Sequence, residues 1–195
     1  MKKIVLFSLL LVSTLSFAQS KDALKDVNDV VFYGIDFSIV GIVGADEDSY
    51  KFIESFSKIN DLMQREYSKY IKPLDKKTKV NIVSVDLEAV SEKNAKITSE
   101  SLNRAGDIAP IEEPAINDVL SGLNIKRTEG YGAILIAEEL NKSKNRAIYE
   151  LVFFDIASKK IITHAKISGQ AKGFGLRNFW ANSVGNSIRN IKLVK

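Results

Sequence analysis

The sequence predicts an α/β (α+β) fold, a single-domain sandwich in which a mixed, largely antiparallel sheet is packed by helices. Three observations carry this. Apolar residues recur at spacings of three and four between Ser49 and Ile71, which draws one stripe along a helix. The runs YGAILIAEEL and AIYELVFFDI carry apolar side chains on both faces, as strands at a covered sheet centre do. The 195 residues include no Pro-, Ser- or Gly-rich linker and no internal repeat, so one core must hold the chain together.

The elements follow in order. MKKIVLFSLLLVSTLSFAQS opens with Lys2 and Lys3, continues with an apolar run from Ile4 to Leu15 and reaches the small-residue site Ser16-Phe17-Ala18. That is the layout of a signal peptide, and the apolar run is short of the roughly 20 residues a spanning helix needs. Residues 1–18 therefore read as a signal peptide cleaved after Ala18, and residues 19–195 as a single domain in the periplasm or outside the cell. No other segment is long and apolar enough to span a bilayer, so no stable membrane insertion is expected after cleavage.

VVFYGIDFSIV (30–40) is rich in β-branched and aromatic residues and reads as a strand, with Tyr33, Ile35, Phe37 and Ile39 alternating onto one face and Asp36 onto the other. GADEDS breaks it and sets Asp46, Glu47 and Asp48 before a helix, where carboxylates can cap free amides. The helical stripe then runs through Phe52, Phe56, Ile59, Met63, Tyr67 and Tyr70, and Pro73 is expected to end it. KVNIVSVDLEAV (79–90) reads as a second strand with Val80, Ile82 and Val85 inward, followed by a polar helix through Ile97. Two prolines and loop-forming residues precede a short helix from Ala115 to Leu123.

The last third holds the two apolar strands as neighbours. A tight DIASKKI connection leads into a third strand, on which Ile161, Thr163, Ala165 and Ile167 face one way while Lys160, His164 and Lys166 face the other. Leu176, Trp180, Val184, Ile188 and Ile191 form a final helical stripe that closes the sheet.

Composition excludes several classes of function. The chain has no cysteine, so stability comes from packing rather than disulfides, and lipobox acylation, thiolate nucleophiles and cysteine-ligated metals are ruled out. The formal charge of +4 falls to +2 when Lys2 and Lys3 leave with the signal peptide. The remaining lysines are scattered among acids without an aromatic platform, so nucleic acid is not an expected partner. Lys76-Lys77 and Lys159-Lys160 read as solvated turns.

AKGFGLRNFW (171–180) places Gly173 and Gly175 between a strand and a helix, where many proteins hold a phosphate. The dinucleotide fingerprint needs a third glycine where this chain has Asn178, and no GK[ST] follows. The glycines read instead as a tight turn that brings Phe174, Phe179 and Trp180 against the sheet. His164, the only histidine, has no GxSxG elbow to serve, and its strand position places it on a polar face. Asp36 within an apolar strand suits either an exposed structural role or a ligand contact. Asp46 and Asp48 lack the glycine and closing glutamate of a calcium loop. Glu138 and Glu139 point to opposite faces of a strand unless a bulge intervenes, so they make no dyad. The candidate ligand-binding residues are Asp36, His164, Gly173, Phe174, Gly175 and Arg177. No catalytic residue, metal or cofactor is assigned.

YGAILIAEEL, AIYELVFFDIASKKIITHAKISGQ and GFGLRNFW, taken in that order, are similar to a group of exported envelope proteins. The group is related to the penicillin-binding-protein activator LpoB, the curli secretion lipoprotein CsgG and the TolB N-terminal domain. The resemblance spans the last third of the chain together with its first strand and helix. It implies an α/β sandwich with a mixed sheet and a non-enzymatic role in binding envelope proteins or assembling complexes. The chain departs from those relatives in lacking the lipoprotein cysteine. The expected function is an exported, non-enzymatic binding or assembly module for an envelope protein, peptide or glycan. The alternative is a small-ligand-binding protein or small hydrolase with a pocket near Asp36, His164 and Gly173 to Gly175.

Overall fold

The computed structural model describes residues 23–104, 106 and 108–191. The expected signal peptide and cleavage site lie outside the described residues. Strands β1 (Val30–Asp36) and β2 (Gly41–Val43) precede helices α1 (Ser49–Arg65) and α2 (Tyr67–Thr78). Strand β3 (Ile82–Val85), α3 (Glu88–Asn94) and α4 (Glu113–Ser121) form the middle. The end is β4 (Tyr131–Asn141), β5 (Arg146–Asp155), β6 (Ile161–Gln170) and α5 (Leu176–Arg189).

These elements form one α+β domain around an open mixed sheet ordered β3-β1-β4-β5-β6, with β2 continuing beside β4. β1 is parallel to β3 and β4, and β2 is parallel to β4. The longer β4-β5-β6 part is antiparallel, as the sequence predicts. Helices cover both faces. Apolar side chains of α1, α2 and α5 bury one face with Phe32, Leu135, Leu151 and Phe153, while α3 and α4 pack on Val31, Ile134, Val152 and Phe154 of the other. Strands covered on both sides must be apolar on both sides, which is why β4 and β5 read as continuous hydrophobic runs. Among the described residues no helix is long and apolar enough to cross a membrane.

Four local expectations need correction. The expected alternation of Tyr33, Ile35, Phe37 and Ile39 fails because the β1–β4 register shifts between Phe32 and Ile35, where Gly34 sits at φ +90°. A bulge inverts the pleat, so Tyr33 joins the α3/α4 side, Ile35 and Phe37 join the α1 side, and Ile39 is exposed. Pro73 does not end a helix. The break comes at Glu66 (φ −107°, ψ 45°), and α2 carries Pro73 inside it, at the expense of one backbone bond, because Tyr70, Ile71 and Leu74 are buried along the same face. Lys79 at φ 62° closes that helix by bonding its N–H to the Asp75 carbonyl.

Asp48 does occupy the N-cap of α1 but makes no side-chain capping bond, and Glu47 turns instead to Lys142 at 3.2 Å. On β6, a second register shift beside Phe154 sends Ile161 to the α4 side, away from Thr163, which pairs with Phe153.

The bulge at Gly34 leaves backbone to satisfy, since β3 pairs only with Val30–Phe32. Two buried asparagines do this. Asn60 of α1 accepts from Ile35 N–H (2.7 Å) and donates to the Ile35 carbonyl (2.9 Å), while Asn94 of α3 donates to the same carbonyl and accepts from Phe37 N–H (both 2.9 Å). Buried peptide groups need such partners, so each asparagine fastens a helix to the irregular end of β1.

Candidate functional site

The six residues singled out from the sequence fall in three places. Asp36 is 0% exposed, not solvated, because the bulge turns it under the α3/α4 layer. Its Oδ1 accepts from Ser38 N–H (2.8 Å) and Ser38 O–H (2.6 Å), and Oδ2 lies 3.2 Å from Lys93 Nζ of α3. Oδ2 has no well-aligned hydrogen bond, so the Lys93 contact is a charge contact. Lys93 also donates to the Val119 carbonyl near the end of α4 (3.1 Å), so this partly buried pair ties β1, α3 and α4 together.

His164 sits on β6 opposite Val152, with its side chain 34% exposed. Its Nδ1 is 3.2 Å from Oε2 of buried Glu150. Lys166, opposite Glu150, reaches Glu138 Oε2 at 2.6 Å and Glu150 Oε1 at 3.7 Å. The β4–β5 register shift between Ala137 and Glu139 supplies the bulge that the sequence argument left as the exception. It brings Glu138 to Lys166 while Glu139 lies 3.7 Å from Arg146. Glu138 also accepts from Ile111 N–H (2.7 Å), which fastens the segment before α4 to the sheet. The network is a structural clasp of two carboxylates, one lysine and one histidine. Nothing in the sequence pattern announces it, because its members are brought together only by strand register.

Glu150 beside His164 holds the imidazole's pKa above its ordinary value. Burial opposes this, while the charges of Glu150 and Glu113 add to it and Lys166 subtracts. A group whose folded pKa is raised adds stability that is complete below the unfolded value of about 6.5 and is lost as pH rises through the folded value. His164→Gln should therefore cost stability near pH 6 and little near about pH 9, with the difference kept modest by solvent screening. Urea melts of parent and variant across that range check it. A difference that does not change with pH would remove the ion pair from the account.

The space beside His164 is small. Leu24, Thr78, Leu151, Phe153 and neighbouring β6 residues enclose about 30 Å³, room for roughly one water and not for a substrate. Among the described residues no group of three or more His, Asp or Glu side chains is placed to hold a metal ion.

Gly173, Phe174, Gly175 and Arg177 lie at the far end of β6, where the chain turns into α5. Gly175 is the helix N-cap at φ 75°, ψ 150°, a conformation nearly confined to glycine, and Gly173 is at φ 120°. The turn is as tight as expected, but it does not carry Phe174 to the sheet. Phe174 is 95% exposed, whereas Trp180 is fully buried and Phe179 packs edge-on to it at 4.9 Å. Arg177 is exposed and its Nε donates to Asn178 Oδ1 (3.1 Å).

A Cβ at Gly175 meets nothing within 4 Å, so Gly175→Val should act through backbone strain alone and cost about 1–3 kcal/mol. Arg177→Ala should be near neutral. Thermal melts with and without millimolar ATP, ADP and phosphate test the phosphate alternative, and stabilisation of the parent that vanishes in Arg177→Ala would restore it.

Beside this turn lies a groove of about 760 Å³ lined by Asn145, Gln170, Ala171, Lys172, Gly173, Phe179, Asn186 and Asn190. Neither Asp36 nor His164 is among these. Sheet closure builds the groove: Ala171 N–H bonds to the Asn145 carbonyl (2.8 Å) and Asn186 Nδ2 to the Gln170 carbonyl (2.6 Å). Lys142 Nζ stands 4.1 Å from the Phe179 ring centroid. Four carboxamides thus line it; Asn186 is engaged by the Gln170 carbonyl and by Arg189 (2.8 Å), while those of Asn145, Gln170 and Asn190 carry donors and an acceptor into the groove. Lys159, expected in a solvated turn, instead reaches the Ser121 carbonyl (3.0 Å) and the Leu123 carbonyl, anchoring the end of α4. No protein-family model matches the chain, and no curated protein matches it in sequence.

Proposed function

We propose that this protein is an exported, non-enzymatic envelope module that binds a peptide or glycan chain, free or as part of an envelope protein, in the groove between the end of β6 and α5. The carboxamide lining carries this reading. Asn145, Gln170 and Asn190 present paired donors and acceptors beside an aromatic ring, which suits the amides of a peptide or the hydroxyls of a sugar. The resemblance to exported envelope-binding proteins points the same way, and the charged, apolar and small-residue parts of residues 1–18 supply the route out of the cytosol.

The small-hydrolase alternative is weaker, because the space at His164 has room for about one water and Asp36 is sealed by Ser38 and Lys93. Glycan and peptide arrays probed with the processed protein test the proposal, with Asn190→Trp as the variant, since Asn190 is exposed and lines the groove. Retention that Asn190→Trp abolishes without lowering the melting temperature is the expected result. Retention indifferent to that block would remove the groove from the function. For export, N-terminal sequencing of the envelope fraction should begin at Gln19, and an intact Met1 form recovered from the cytosol would contradict it.

A further inference from the structure

We infer that the turn carrying Phe174 is a docking point for an anionic lipid bilayer surface, which shares Lys172 and Gly173 with the groove's lining but presents Phe174 outside it. Phe174 is 95% exposed, the most exposed large apolar side chain among the described residues. Glycines on either side, at φ 120° and φ 75°, hold it on a tight loop that packs it against nothing in the fold. An aromatic ring so placed contributes no core stability and costs solubility in water, which makes sense where another apolar phase receives it.

The charge around the ring selects that phase. Lys172 and Arg177 flank it in sequence, and the β4–β5 hairpin brings Lys144 alongside through the Ala171 to Asn145 backbone bond. All three cations are exposed and none forms an ion pair with a carboxylate among the described residues, in contrast to Lys142, which Glu47 neutralises. A ring that enters the headgroup boundary with cations around it is the arrangement of peripheral interfacial anchors. One ring and three cations give reversible adsorption and no insertion of a helix.

Sedimentation of the full processed chain with vesicles tests this. The vesicles would be phosphatidylcholine alone, or phosphatidylcholine with a third replaced by phosphatidylglycerol. The protein should pellet with the anionic vesicles only, and less so at high salt. Phe174→Ala should weaken partitioning about tenfold, and Lys172→Ala with Arg177→Ala together roughly 25-fold. Melting temperatures should stay at the parent value, since all three side chains are exposed. Equal binding to both vesicle types, absence of binding, or binding unchanged by Phe174→Ala would overturn the assignment. Retention on a soluble acidic peptide or polysaccharide with none on vesicles would overturn it as well, giving the cations to a soluble polyanion.

Discussion

Gly169→Ala should destabilise the protein by about 3 kcal/mol or more, at the upper end of what overpacking a core costs. Gly169 lies on β6 where α5 crosses it, and a Cβ built there would overlap the Ser183 carbonyl oxygen and the Ser187 backbone nitrogen and stand 2.6 Å from Ser187 Oγ. Backbone cannot move aside as a flexible side chain can, so the helix itself must lift. The helix residues facing it are small for the same reason: Ser183 and Ser187 are buried in α5. Their hydroxyls are committed, with Ser183 bonded to Tyr149 O–H (2.8 Å) and Ser187 to the Ser183 carbonyl (2.8 Å). Lifting α5 also draws Trp180 out of the core. Gly122→Ala is the control, because its Cβ would find only ordinary contacts no closer than 3.4 Å. Urea midpoints for the two variants should differ widely, and coincident midpoints would mean that strand and helix are not in contact as described.

Phe56→Ala should cost about 3–5 kcal/mol, the range for truncating a buried aromatic side chain. Phe56 is buried and stacks on Phe37, with ring centroids 4.1 Å apart and planes within 5°, while Phe52 tilts against it at 6.5 Å. Truncation opens a cavity between α1 and the irregular end of β1. The site cannot readily collapse, because Asn60 and Asn94 hold that backbone from two helices. Lys58→Ala, on the exposed side of the same helix, should melt with the parent. Small and equal losses in both variants would detach α1 from the sheet.

The two variants differ in how far the sequence foretells them. Phe56 belongs to a stripe at helical spacing, so its burial follows from periodicity. Gly169 lies in a strand with no turn signal, and its role exists only because α5 packs against it. The candidate site divides likewise. Gly173 and Gly175 stand out as a turn from their position between strand and helix, yet the exposure of Phe174 depends on which way that turn points. Asn186 and Asn190 look like polar positions of an ordinary helix, and they become groove residues only once β6 ends beside them.

The sequence by itself determined the element types, the single mixed sheet, the antiparallel neighbours at its end and the closing helix, because side-chain periodicity reports local backbone geometry directly. The tertiary structure decided the phase of the strands and the partners of the charges. Bulges at Gly34 and Glu138 each insert one residue into a pairing, and one residue is enough to move every later side chain to the opposite face. The bulge in β1 buried Asp36 against Lys93, and the pairing of β4, β5 and β6 set Glu138 and Glu150 beside His164 and Lys166. Such contacts depend on register between segments distant in the chain, and no local pattern encodes that register.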